Sequence, residues 1–107
     1  MIRHEVLVSQ LRFYEETSED PYAQYDAVCT VIWNGTSDIT IKGLHGTLSR
    51  KIFRELLDWL AVNNITTVRA NRAPQRLLPC AQEQLDGSYL VLVSDLLKHF
   101  RYKGKAL

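Results

Sequence analysis

The stretch Lys42–Lys51 has the residue types and spacing of an anion-binding turn. It contains two glycines, which let a backbone approach a ligand closely. A helix beginning at its end would carry Arg50, Lys51 and Arg54 in its first turns, where cations are unfavourable by roughly a few tenths of a kcal/mol each. The amides of such a helix start can hold phosphate oxygens. The alternative interpretation is a tight strand-to-helix turn with a solvated basic face.

A second basic group, formed by Arg69, Arg72 and Arg76, offers the same chemistry. Arginine forks bind phosphate or carboxylate groups at two points. The alternative is surface charge paired with Glu83 or Asp86, and isolated surface pairs of this kind contribute little to stability.

The sequence contains no comparable pattern for a metal site or a catalytic nucleophile. His4, His45 and His99 lack metal-ligand spacing, so no metal site is predicted. Cys29 and Cys80 fit neither a zinc motif nor a redox pair. Cys29 lies in an apolar strand pattern, which is typical of a small core residue. No arrangement of serine, histidine and aspartate can be argued.

Size and composition indicate one soluble domain over residues 1–107, and we expect it to be cytoplasmic with reduced thiols. No apolar run approaches a membrane span, and the amino terminus lacks the apolar stretch of a signal peptide. The net charge is +1, which argues against a nucleic-acid partner. The basic and aromatic tail, residues 98–105, suits stacking on unpaired bases, or simply complements a helix dipole.

Hydrophobic periodicity predicts an α+β fold with a five-stranded, mixed, mostly antiparallel sheet and packed helices. The predicted strands cover residues 2–14, 24–33, 38–43, 65–70 and 89–93. Predicted helices cover residues 49–63, a short piece near 76–78, and residues 96–102.

Three local signals place these elements. Asn34–Ser37 is predicted to be a hairpin turn, because Asn and Gly accept positive φ. The long helix has one wide apolar stripe, with Thr47 or Ser49 as its cap. The strand–helix–strand order around it favours a parallel crossover.

The order of elements resembles the GNAT acyltransferases, which bind acetyl-CoA. The corresponding segments are Ile39–Gly43, Leu44–Arg50, Ile52–Leu60, Ile65–Ala70, Asn71–Leu85 and Tyr89–Val93. The resemblance implies an N-acyltransferase-like activity with unassigned catalytic residues. It also implies a family cleft, where the fourth and fifth family strands splay to admit the cofactor. The implied cofactor-binding residues are Gly46, Thr47, Leu48, Ser49, Arg50, Lys51 and Asn71.

The chain departs from the family's turn, which reads Arg/Gln-x-x-Gly-x-Gly/Ala. Leu44, Thr47 and Ser49 occupy those three positions, and Gly46 lies one place away. No tyrosine lies between Asn71 and Gly87 to serve as the family's general acid. These departures predict a trimmed or degenerate member.

Two hypotheses therefore stand. One is an acetyl-CoA-binding, acetyltransferase-like protein; the other is a non-catalytic protein-binding module on the same scaffold. The second would act through the acidic loop Glu15–Asp20 or through exposed aromatics such as Trp33 and Trp59. A homodimer is a further option for the partner. An open cleft beside Gly46 favours the first hypothesis and a closed sheet favours the second.

Overall fold

Over the residues that the structure describes, the fold is a six-stranded sheet with two α-helices. It is seen in a computed structural model that describes residues 1–16, 24–72 and 77–100, with Leu78 described for its backbone only. The strands are β1 Val8–Phe13, β2 Ala27–Trp33, β3 Asp38–Gly46, β4 Thr67–Ala70, β5 Ala81–Glu83 and β6 Tyr89–Leu92. The α-helices are α1 Arg50–Val62 and α2 Val93–His99, and a 3₁₀ turn lies at Leu78–Cys80.

The sheet has the order β1-β2-β3-β4-β6-β5. β1, β2 and β3 form an antiparallel meander, and α1 then crosses over to β4, which pairs with β3 in parallel. β4 pairs with β6, and β6 with β5, both antiparallel. This confirms an α+β fold with a mixed, mostly antiparallel sheet, and it confirms the parallel crossover.

The predicted count of five strands is wrong, because the short strand β5 was not predicted and brings the total to six. Its three residues, Ala-Gln-Glu, are too few and too polar to give a period-two signal. β5 exists because the loop after it folds back: the Gln84 amide donates to the Ser88 carbonyl over 2.8 Å, and Gly87 adopts φ +84°. This hairpin aligns Ala81 with Val91.

The core lies between one face of the sheet and the two helices. Cross-strand register places one row of inward residues side by side: Trp33, Ile39, Val68, Val91 and Ala81. The buried stripe of α1 packs against this face with Ile52, Phe53, Leu56, Leu57 and Leu60. Each such side chain contributes roughly 1.5–3 kcal/mol by leaving water.

The opposite face of the sheet carries a different row of aligned residues: Val8, Ile32, Thr40, Arg69, Leu90 and Gln82. These side chains are half-buried or exposed. Arg69 forms an ion pair with Asp38 over 3.1 Å on this face, linking β4 to β3. Of the two partners predicted from the sequence, Asp86 also lies near Arg69: hydrogen bonds from Ser88 and, to a smaller extent, the Arg69 charge lower the pKa of the Asp86 carboxyl.

The ends of α1 are as the sequence predicts. Ser49 is the N-cap and Asn63 the C-cap, and Asn64 follows with φ +55°. Asn tolerates this left-handed conformation better than most residues, so it stops the helix and turns the chain toward β4.

Several predicted boundaries differ from the observed ones. β1 begins at Val8 rather than at residue 2, β2 begins at Ala27 rather than at residue 24, and β4 begins at Thr67 rather than at residue 65. The loop Asn34–Ser37 does join β2 to β3, but no residue in it has positive φ. Four residues give this loop enough length to reverse the chain without a left-handed residue.

The carboxyl-terminal helix also differs. α2 starts at Val93 rather than at residue 96, and its N-cap, Leu92, makes no side-chain hydrogen bond to the helix. The predictions for Arg76 and for residues 101–107 lie outside the described residues, as does part of the acidic loop, residues 17–20. Within the described ranges, no helix is long and apolar enough to cross a membrane.

Candidate functional site

The predicted anion-binding turn is mostly strand. β3 continues to Gly46, so the loop before α1 is only Thr47–Ser49. A bulge makes this extension possible: Thr30 faces Lys42 and Val28 faces His45, which leaves one extra residue on β3. Gly43 lies in the bulge with φ +61°, a conformation that glycine adopts without steric cost.

Gly46 approaches the protein's own backbone. Its φ is +94°, and a Cβ there would lie 2.3 Å from the carbonyl oxygen of Asp26 and 2.8 Å from the Cα of Ala27. Gly46 is also paired with Ala27 in the sheet. The close approach that glycine permits is therefore used for contact between β3 and the start of β2.

One of the first amides of α1, that of Ile52, has a cap partner inside the protein. The Ser49 hydroxyl accepts from the Ile52 amide over 3.2 Å, and the Ser49 carbonyl accepts from the Phe53 amide over 2.8 Å. This is an ordinary N-cap, in which a side-chain oxygen satisfies an orphan donor. It occupies one of the donors that an anion would use.

The other predicted ligands do not converge. The Lys51 ammonium donates to the carbonyl of Glu15, in the chain segment after β1. The Leu48 side chain is buried in the core, while Thr47 and Arg50 are exposed. Asn71 is exposed in a bend immediately after β4.

The strands on either side of the predicted cleft behave differently. β4 and β6 pair along their whole length, from Thr67–Leu92 to Ala70–Tyr89. β3 and β4 pair only from Asp38–Thr67 to Ile41–Ala70, after which β3 continues to Gly46 beside β2. The sheet is therefore closed between β4 and β6, and β3 extends beyond the end of β4.

An open groove lies elsewhere, between α2 and β5. Cys80, Gln82, Asp95, Lys98 and His99 line it. The Cys80 thiol lies 3.9 Å from the carbonyl oxygen of Asp95. The pKa of this thiol is raised, mainly by its partial burial and to a smaller extent by the negative charge of the nearby Asp95 carboxylate. A raised pKa keeps Cys80 protonated near neutral pH, which does not favour a nucleophile.

The second cysteine is a core residue, as its strand pattern predicts. Cys29 is buried in β2, and burial raises the pKa of its thiol to about 11. Both cysteines are free thiols. Among residues 1–16, 24–72 and 77–100, no three His, Cys, Asp or Glu side chains form a group that could hold a metal ion.

The described aromatic residues are mostly used in packing. Trp33 and Trp59 are half-buried and meet edge to face, with their ring centroids 5.8 Å apart. The Trp33 indole N–H donates to the Ser9 hydroxyl over 2.8 Å. Tyr25 is exposed, but the Arg12 guanidinium lies 5.6 Å from its ring centroid. These contacts give Trp33, Trp59 and Tyr25 partners inside the protein, while Tyr22 and Tyr102 lie outside the described residues.

The feature that sequence reasoning missed is the β1 edge, which we define as β1 together with residues 1–7. β1 is one of the two outer strands of the sheet. Exposed apolar side chains concentrate here: Met1, Ile2, Val6 at 56%, Leu7 at 56% and Val8 at 60%. The run Val6-Leu7-Val8 was visible as a signal, but its position on an outer strand depends on the strand order.

The backbone of the β1 edge is also available for pairing. The Leu7 carbonyl accepts from the Trp33 amide over 2.9 Å, so Leu7 belongs to the hydrogen-bonded pairs with β2. Antiparallel pairs alternate, so the amides and carbonyls of Val8, Gln10 and Arg12 point away from β2.

Comparisons of this chain with protein-family models, with curated proteins and with solved structures find no match.

Proposed function

We propose that this protein is a non-catalytic binding module that adds a strand of a partner protein to its β1 edge. The observation that carries the proposal is the coincidence of exposed apolar side chains, including Leu7 and Val8, with outward-facing backbone groups on an outer strand. β-strand addition takes its affinity from main-chain hydrogen bonds and its selectivity from alternate side chains.

The character of this edge supports the proposal. Proteins usually blunt an outer strand with lysine, proline, a bulge or a very short length. The other outer strand, β5, is blunted in this way, with three residues, of which Gln82 and Glu83 are exposed. β1 has six residues, and Leu7 extends its pairing with β2 by one more.

A capture experiment with matched variants tests the proposal. The intact chain, immobilised, is exposed to a cell lysate beside Val8→Pro, Leu7→Lys and the control Leu85→Lys. Leu85 is fully exposed in the β5–β6 loop, at the opposite end of the sheet. We expect a protein that the intact chain and Leu85→Lys retain and both β1 variants lose. Retention of no protein, or equal retention by all four chains, would contradict the proposal.

Acyl-CoA binding is the second candidate, and one observation favours it. The parallel strands β3 and β4 stop pairing after Ile41 and Ala70, while β3 continues to Gly46, next to the start of α1. This is the edge of a sheet where ligands of crossover folds often bind, and the GNAT resemblance implies acetyl-CoA there. The Ser49 cap and the Lys51–Glu15 contact weigh against it.

Calorimetry with acetyl-CoA tests the second candidate. If the turn holds a pyrophosphate, heat of binding should appear at millimolar ligand and should weaken in Arg50→Met, whose side chain is exposed at the helix start. An absence of heat at millimolar acetyl-CoA would end this candidate. The result does not bear on the β1 edge.

A further inference from the structure

We infer that the segment added to the β1 edge is an amphipathic strand, aliphatic on the helix-covered side of the sheet and acidic on the opposite side. The inference rests on the proposed function, because it names the chemistry of the partner at the same edge. A strand paired with β1 continues both faces of the sheet, and its successive side chains alternate between them. The two faces of β1 therefore decide which side chains the partner needs.

The helix-covered side of β1 presents apolar surface. Leu7 is exposed, and Leu11 is half-buried at the margin of the core. Ser9 lies between them, and its hydroxyl already accepts from the Trp33 indole N–H over 2.8 Å. A partner side chain opposite Ser9 is a diagonal neighbour of both leucines. An aliphatic side chain at that position would remove apolar surface of both from water.

The opposite side of β1 carries a cation that two neighbours hold. Arg12 is exposed, and its Nε–H donates to the side-chain oxygen of Gln10 over 2.9 Å. The centroid of the Tyr25 ring lies 5.6 Å from the guanidinium carbon. These contacts leave the two terminal nitrogens of the guanidinium, and such a planar group can bind a carboxylate at two points.

The positive charge on this face has no counter-charge inside the described part of the chain. Among those residues, no carboxylate pairs with Arg12 or with Lys42, a cation on the same face of β3. The Asp38 carboxylate is paired with Arg69 over 3.1 Å, and the Asp26 carboxylate accepts a backbone amide after β1. An acidic side chain opposite Arg12 would supply the counter-charge, since opposite charges stabilise a strand pair.

The required pattern is the same for either direction of the partner strand. The partner residues opposite Ser9 and Arg12 are three positions apart in both directions, so they lie on opposite faces of the sheet. Arg3 and Glu5, in the segment before β1, carry opposite charges and give no net preference. The partner is therefore a strand in which an acidic residue lies three positions from an aliphatic one.

Fluorescence anisotropy with two labelled, end-capped octapeptides tests the inference. One peptide alternates valine with glutamate, and the other alternates valine with lysine. Every register that puts valine on the helix-covered side therefore puts a charge opposite Arg12, in either direction. We expect the intact chain to bind the glutamate peptide about tenfold more tightly, because like charges directly opposite each other destabilise a strand pair. Equal affinities, a preference for lysine, or binding of neither peptide would overturn the inference.

Charge reversal locates the contact. Arg12→Glu should invert the preference, so that the lysine peptide binds more tightly. Lys42→Glu is the matched control, because it makes the same charge change on the same face but two strands from the edge. It should still prefer the glutamate peptide, and circular dichroism should show both variants folded. An Arg12→Glu chain that keeps the parent's preference would overturn the inference.

A proline variant tests whether the peptides occupy the β1 edge. Val8→Pro should weaken both peptides, because the lost amide faces away from β2 and proline is tolerated on an outer strand. Unchanged binding would place the peptides on another surface and overturn the inference. Sedimentation that shows a dimer, dissociated by Val8→Pro, would mean that a second copy occupies the edge, and this would also overturn it.

The outcomes separate the two proposals. A protein that the intact chain captures from lysate through the β1 edge should be released by excess glutamate peptide and not by lysine peptide. Capture that neither peptide reverses overturns the inference and leaves the proposed function standing. A chain that captures no protein overturns the proposed function, whichever peptide it prefers.

Discussion

The Lys51 ammonium, in the first turn of α1, donates a hydrogen bond to the backbone carbonyl of Glu15. The Glu15 amide in turn donates to the Asp26 carboxylate over 2.7 Å, at the start of β2. These two bonds tie the chain after β1 to both the helix and the next strand. A cation at a helix amino terminus, which is unfavourable by itself, is thereby given a structural role.

Replacing Lys51 by Met should lower the free energy of unfolding by about 0.5–1 kcal/mol, since the bond lies at the surface. Arg50→Met is the matched control, because it removes an equal charge from the same turn. It should be neutral or slightly stabilising. Urea unfolding of both variants measures the difference, and equal effects would show that the Lys51–Glu15 contact contributes nothing.

Replacing Gly46 by Ala should destabilise the fold strongly, by about 2–4 kcal/mol. The added Cβ would collide with the Asp26 carbonyl oxygen, and the backbone has φ +94°. Gly43→Ala is the control: its φ is +61°, but nothing lies within 4 Å of the added atom. Only the conformational cost of about 1–2 kcal/mol remains there. Thermal unfolding that ranks Gly43→Ala as the worse variant would contradict this account of Gly46.

Replacing Ser49 by Ala should cost about 1 kcal/mol, because the Ile52 amide would lose its acceptor. Ser49→Asp should keep the cap and add a favourable charge at the helix start, so its stability should equal or exceed that of the parent. Chemical denaturation with a helix-sensitive signal measures both. A Ser49→Asp variant as unstable as Ser49→Ala would show that the cap is not what stabilises this end.

The Cys29 thiol predicts a loss of stability at high pH. Burial raises its pKa from the ordinary 9.0 to about 11. Between these values the unfolded chain releases the proton that the folded chain retains. Stability is therefore complete below about pH 9 and falls as the pH rises toward 11, by about 1 kcal/mol at pH 10.

Unfolding free energies at pH 8 and pH 10 check this prediction. Cys29→Ala is the control, and it should lose about 1 kcal/mol less than the parent between the two pH values, whatever its stability at pH 8. Identical losses in both chains would mean that the Cys29 thiol titrates normally in the folded protein.

Elements with strong local signals were predictable. The apolar stripe of α1 and its Ser49 and Asn63 caps are encoded within a few residues of each other, so the helix follows from periodicity and capping alone. The meander and the parallel crossover followed from element order. β5 was not predictable, because its strand character comes entirely from pairing with β6.

The turn before α1 shows why site residues were harder to predict. In the sequence, glycines followed by cationic residues have the pattern of an anion-binding site. The partners that occupy Gly46 and Lys51 come from Asp26, Ala27 and Glu15, which lie about twenty or more residues earlier in the chain. Such contacts leave no local pattern, so spacing alone could not reveal them.

The sequence by itself determined the fold class, the long helix with its ends, and the buried character of Cys29, because periodicity, capping and apolar strand patterns act over short distances. The tertiary structure alone decided that β1 is an outer strand, that Gly46 lies against backbone, and that β5 exists. Those properties depend on which strands become neighbours, and strand order is set by packing of the whole sheet against its helices.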